Sequence, residues 1–119
     1  MEHAVCRVDE LAPGERRVVT IGRRDVLIVR AADGSFRALR DVCPHQGARL
    51  SAGYLGGVVV AERVGEYRVE RDDEIVRCPW HNFEFDSATG VCLVQPDRYR
   101  VKTYPVSVRD DAVVVDVRD

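Results

Sequence analysis

The sequence predicts an all-β protein, a sandwich or barrel of short antiparallel strands. Three observations carry this expectation. Runs rich in Val, Ile, Tyr and Phe recur along the chain. Gly, Asp or Pro interrupts each run after a few residues. No 11-residue window holds the apolar stripe of an amphipathic helix.

The elements follow in order. Val5 to Val8 reads as a strand, and Ala12-Pro13-Gly14-Glu15 as a turn. Arg17 to Ile21 and Val26 to Arg30 form two strands around Gly22-Arg23-Arg24. In the second, Val26 and Ile28 face one way and Leu27 and Val29 the other, the mark of a strand buried on both faces. Ala32-Asp33-Gly34-Ser35 is a hairpin turn, because Asp-Gly tolerates positive φ. Phe36 to Leu39 is its partner strand. Residues 41–53 lose all periodicity and read as a shaped loop. Val58 to Ala61 and Glu66 to Glu70 pair across Arg63-Val64-Gly65. Glu74 to Arg77 is a short strand entering a second irregular stretch, Cys78 to Asn82. Phe83 to Phe85 alternates, Asp86 to Gly90 turns, and Val91 to Val94 is extended. Gln95-Pro96-Asp97 is a loop, and Val101 to Val108 with Ala112 to Val117 makes a final hairpin around Arg109-Asp110-Asp111.

At 119 residues the chain has room for one domain, residues 1–119, with a core that needs no disulfide staples. The net charge is −2 and the basic residues are scattered, which argues against nucleic acid and anionic membranes as partners. No stretch approaches the length of a membrane span. Met1-Glu2-His3-Ala4 does not open a signal peptide, so the expected location is the cytoplasm. In that reducing compartment, Cys6, Cys43, Cys78 and Cys92 are metal ligands or inert core thiols rather than disulfides.

Two loops carry the chemistry. Cys43-Pro44-His45 is a Cys-x-His hook, and Cys78-Pro79-Trp80-His81 is a Cys-x-x-His hook. Ligands two or three residues apart on a turn can aim at one point, and the proline after each cysteine stiffens the turn. Two thiolates and two imidazoles suit Zn²⁺ or an iron–sulfur centre, and suit Mg²⁺ or Ca²⁺ poorly. Zinc sites usually draw paired cysteines or paired histidines at close spacing. A mixed hook on both sides is the pattern where two thiolates hold one iron and two imidazoles its neighbour. A structural zinc module remains the alternative at this point. Cys6 and Cys92 fall on expected strands and read as buried inert thiols.

These residues resemble the Rieske [2Fe–2S] proteins of the ferredoxin and ring-hydroxylating oxygenase type. The resemblance rests on Cys43 to Leu50, on Cys78 to Asp86 and on Thr89-Gly90, and the flanks Leu11 to Glu15 and Thr103 to Val106 agree. It implies a Rieske iron–sulfur domain of antiparallel sheets or a partly open barrel, with two ligand-bearing loops. It implies one [2Fe–2S] cluster, with Cys43 and Cys78 on the inner iron and His45 and His81 on the outer. Pro96 falls where the family places a proline loop over the cluster, and Trp80 where a side chain shields it. Ala48 and Trp80 stand where the cytochrome-complex branch has two further cysteines, which favours the low-potential branch. Asn82 stands where glycine is usual in the family. The 32 residues between the hooks, 46–77, exceed the family's usual gap, so an insertion is expected around 54–73.

The function implied is that of a soluble electron carrier, not an enzyme in itself. Its partners would be a flavin- or NAD(P)H-dependent reductase and a terminal oxygenase or similar acceptor. His3 is the one histidine outside the hooks, so no mononuclear iron triad of two His and a carboxylate can be built. The alternative within the family is a small subunit of a larger oxidoreductase, resembling that of assimilatory nitrite reductase.

Overall fold

The computed structural model describes residues 1–44, 47–63, 66–79 and 83–117, with the backbone alone described across 58–63 and 66–72. Strands β1 (Glu2–Arg7), β2 (Arg16–Ile21), β3 (Arg24–Arg30), β4 (Phe36–Arg40), β5 (Tyr54–Arg63), β6 (Glu66–Arg77), β7 (Glu84–Asp86), β8 (Thr103–Tyr104), β9 (Val106–Arg109) and β10 (Ala112–Asp116) follow in chain order. They form three sheets, ordered β1-β10-β9, β2-β3-β4-β8 and β5-β6-β7. Every pairing is antiparallel, and none of the sheets closes into a barrel.

The continuous apolar run of β3 explains the layering. Val26, Leu27, Ile28 and Val29 are all fully buried, and each contributes about 2 kcal/mol of burial energy before chain entropy is counted. Val26 and Ile28 join Ala38 and Tyr104 in a core shared with Val115 and Val117 of the first sheet's side. Leu27 and Val29 join Leu39 in a second core with Val76 and Phe85 of the third sheet. The sheet containing β3 is therefore the middle layer, as its two-faced apolar pattern requires.

The end of the chain departs from the expected single strand over Val101 to Val108. Pro105 has no N–H to donate, and pairing breaks there. The chain on one side, β8, pairs with β4, and on the other, β9, pairs with β10. The β9–β10 turn places both Asp110 (φ 52°) and Asp111 (φ 62°) in the left-handed region, the requirement of a two-residue hairpin turn.

Glu66–Glu70 and Glu74–Arg77, expected as separate strands, are one strand, β6, with a wide bulge. Close to the sheet, Tyr54, Leu55 and Gly56 pair with Arg77, Val76 and Ile75. The next pair is Val58 with Glu70, so residues 71–74 stand opposite Gly57 alone. Asp73 (φ 59°) lies within that bulge. Beyond it the two strands continue as a ribbon that no other described strand joins, and the molecule measures 47 × 30 × 22 Å. Among the described residues no helix is long and apolar enough to cross a membrane.

Candidate metal centre

The first ligand loop crosses from the middle sheet to the base of the β5–β6–β7 sheet, and the second leaves and re-enters that sheet. The first runs from the end of β4 through Cys43 to a 3₁₀ turn, Leu50–Ala52, and then into β5. The second leaves β6 at Arg77 and returns into β7 at Glu84. They share one closure. The Cys43 N–H donates to the Ala48 carbonyl at 2.7 Å, and the Cys78 N–H donates to the Phe83 carbonyl at 2.8 Å. In each case a cysteine is tied to the residue five positions on. In the first loop the Gly47 N–H also donates to the Cys43 carbonyl at 2.8 Å, and Gly47 takes φ 73°, a conformation that favours glycine.

A charged clasp spans the mouth of each loop. At the first, Asp41 is buried, and its carboxylate accepts from the Ser51 N–H and from the Ser51 hydroxyl, both at 2.7 Å. Arg49 reaches the same carboxylate at 3.7 Å and also pairs with Asp25. A buried carboxylate requires partners of this kind to compensate for lost hydration. At the second, the Arg77 guanidinium bonds Glu84 at 3.1 Å and donates to the Gly57 carbonyl at 3.0 Å.

The loops meet closely. A Cβ on Gly53 would lie 1.7 Å from the Arg77 carbonyl oxygen and 3.2 Å from Cδ of Pro79, so only glycine fits where the first loop passes the second. Cys43 and Cys78 are both 0% exposed and belong to one apolar cluster with Leu27, Leu39, Leu50, Val76 and Phe85. Phe83 and Tyr99 close its side, with ring centroids 5.6 Å apart.

Cys43 and Cys78 are thus brought into one dry core by loops of like geometry. His45 and His81, the other two expected ligands, lie outside the described residues, as do Trp80 and Asn82. Among the described residues no group of three or more His, Cys, Asp or Glu side chains gathers as a metal site. Pro96 is exposed, in a turn where the Gln95 carbonyl accepts from the N–H groups of Arg98 and Tyr99, each at 3.1 Å. Cys92 is a fully buried thiol as expected. Cys6 is only partly buried, because β1 is an edge strand; desolvation still pushes its pKa up, against the pull of Arg17. Asp41 and Ser51 were not legible as a pair. The available signal was an acidic residue at a strand end, ten positions before a serine, which many loops share.

Comparison with known proteins decides the family. The model of the Rieske [2Fe-2S] domain matches residues 1–105. The chain belongs to the Rieske [2Fe–2S] family. It is 34% identical over 115 residues to the ferredoxin subunit of the 3-phenylpropionate/cinnamic acid dioxygenase of Photorhabdus laumondii, covering 97% of this chain and 93% of that one. The ferredoxin of carbazole 1,9a-dioxygenase from Nocardioides aromaticivorans superposes with a TM-score of 0.75 at 26% identity, covering 98% of each chain. A Mycobacterium tuberculosis protein assigned as the small subunit of an NADH-dependent nitrite reductase superposes with a TM-score of 0.76 at 28% identity, covering 100% of this chain and 97% of that one. Membership of this family implies a [2Fe–2S] cluster of Rieske type. The described half of the donor set fits such a group, since it offers two buried thiols in one apolar cluster, each on a loop stiffened by proline.

Proposed function

We propose that this Rieske protein is a one-electron carrier that passes electrons from a reductase to a terminal oxygenase, with Cys43, His45, Cys78 and His81 as the cluster ligands. The observation that carries the reading is the pair of buried cysteines, one on each of two loops closed in the same way. Cys43 and Cys78 would bind as thiolates, and His45 and His81 as neutral imidazoles at positions inside the two closed spans, 43–48 and 78–83. When bound, the cluster supplies one reversible electron at a potential between about −150 and +300 mV, because two neutral ligands replace two anions.

The chain's own residues do the rest. The apolar cluster around the thiols excludes water, and the Asp41–Ser51 and Arg77–Glu84 clasps hold the loops in place. Loops braced in this way lower the reorganisation that electron transfer would otherwise require. Residues 54–73 act as an insertion in the Rieske domain, because the ribbon extends beyond the β5–β6 ladder that positions the loops. The cytoplasm is the compartment that suits an unpaired set of four cysteines.

Iron and acid-labile sulfide analysis, with EPR of the dithionite-reduced protein, tests the reading. Two irons, two sulfides and a rhombic signal of low average g are expected. Protein that stays iron-free after anaerobic reconstitution, or that binds one zinc, would overturn it.

A second reading is favoured by the full-length match to the nitrite reductase small subunit. In that case the chain is a tight subunit, and it would copurify with a large catalytic chain rather than elute alone.

A further inference from the structure

Residues 98–102 alternate between surface and core. Arg98, Arg100 and Lys102 are exposed, while Tyr99 is half-buried and Val101 is buried. The two inward residues pack on the cluster that contains Cys43 and Cys78. On the adjoining strand, the Arg40 N–H donates to the Lys102 carbonyl at 2.9 Å, which sets exposed Arg40 beside the same stripe. Arg40 stands three residues before Cys43, at most about 10 Å along the chain.

Among the described residues no carboxylate pairs with any of these four cations. Arg100 donates to the Thr89 carbonyl at 3.2 Å, and the Arg98 guanidinium sits 5.4 Å from the Tyr99 ring centre. The segments on either side, residues 36–42 and 88–94, contain one carboxylate, Asp41, which is buried and held by Ser51. Within 95–105 the one acidic residue is Asp97. An open groove lined by Arg100, Val101, Lys102 and Thr103 runs along the stripe. The chain as a whole carries −2, so this patch opposes the average and gives the molecule a polarity.

We infer that Arg40, Arg98, Arg100 and Lys102 form a docking face for an acidic surface of the redox partner. The inference rests on the reading of the chain as an electron carrier. Rim charges of this kind act on the rate of encounter more than on final affinity, and their effect falls as salt screens them. Tyr99 and Val101 of the same stretch pack in the apolar cluster of the cysteines, so a partner steered there arrives on the side of the molecule that holds them.

The test uses the full-length, cluster-loaded protein, reduced and mixed in stopped flow with two small oxidants. Hexacyanoferrate(III) carries −3 and hexaamminecobalt(III) carries +3. Each takes one electron, its metal falling from the trivalent to the divalent state as the cluster returns to its oxidised form. The expected result is a fall of about tenfold or more in the hexacyanoferrate rate as ionic strength rises from low to physiological, with no such fall for the cobalt complex. R40E/K102E should abolish or invert that salt dependence while iron content and EPR signal stay unchanged. If the charge reversal prevents folding, R40Q/K102Q should still weaken the dependence. Equal salt dependence in parent and variant, or preference for the cation, would overturn the docking face. Retention of the parent on double-stranded DNA or on phosphatidylglycerol vesicles at physiological salt, lost in the variant, would assign the stripe to another polyanion and overturn it as well. Absence of the EPR signal would instead defeat the carrier reading itself.

Discussion

Asp41 is a buried carboxylate in the loop that carries the first ligand, and it is held by both donors of Ser51. Asp41→Asn keeps the volume but turns one acceptor into a donor facing a donor. It should lower stability by about 1–3 kcal/mol, read by thermal or urea unfolding, and should speed loss of iron to a chelator. Cys43→Ala should abolish the visible absorption and iron binding while β-sheet circular dichroism persists, since the apolar cluster around it remains. At His81, substitution by Cys restores a negative charge at the centre. If a cluster assembles, its potential should fall, and protein-film voltammetry would show it. Away from the site, Glu10 accepts from the Arg7 N–H at 2.8 Å and pairs with Arg17, and these hold its carboxyl below the usual range. A depressed folded pKa contributes stability above the unfolded value of about 4.3, and that contribution is lost as pH falls through the folded value. Glu10→Gln should therefore melt below the parent at pH 7 and level with it in acid.

At the scale of elements, the sequence declared most strands because alternation and turn residues are local signals. Val26 to Arg30 was legible as a doubly buried strand, and its two faces do serve two cores. Of the hooks at 43–45 and 78–81, Cys43 and Cys78 were legible as residues presented on two loops, and His45 and His81 lie outside the described residues. What stayed hidden depends on distant partners. Pro105 was visible, but not that the chain would change sheets there, which β4 and β10 decide between them. The bulge at 71–74 and the clasp of Asp41 by Ser51 likewise come from packing rather than pattern. The ribbon beyond the bulge invites a trimming experiment. Removing residues 58–72 and closing the hairpin with a short turn should leave iron content and EPR unchanged, because Tyr54 to Gly56 still pair with Ile75 to Arg77. By contrast, Gly53→Ala forces a Cβ into the Arg77 carbonyl. Overpacking of that kind costs about 1–3 kcal/mol, and here it falls where the two loops touch, so cofactor retention should drop with stability.

For the molecule as a whole, three layers enclose two cores, and the loops close the end of one of them. A group bound by the folded chain alone stabilises it by mass action. Cofactor-loaded protein should therefore melt well above the stripped form in calorimetry. The β5–β6 hairpin has one more effect, on the order of events as the chain folds. Cys43 and Cys78 are 35 positions apart, and bringing such distant points together from a random coil costs about 3 kcal/mol in chain entropy. A β-hairpin forms within about 1–10 microseconds, so this ribbon can act as a folding ruler. It draws its two ends, Tyr54 and Arg77, together, which shortens the span of chain left to close between Cys43 and Cys78.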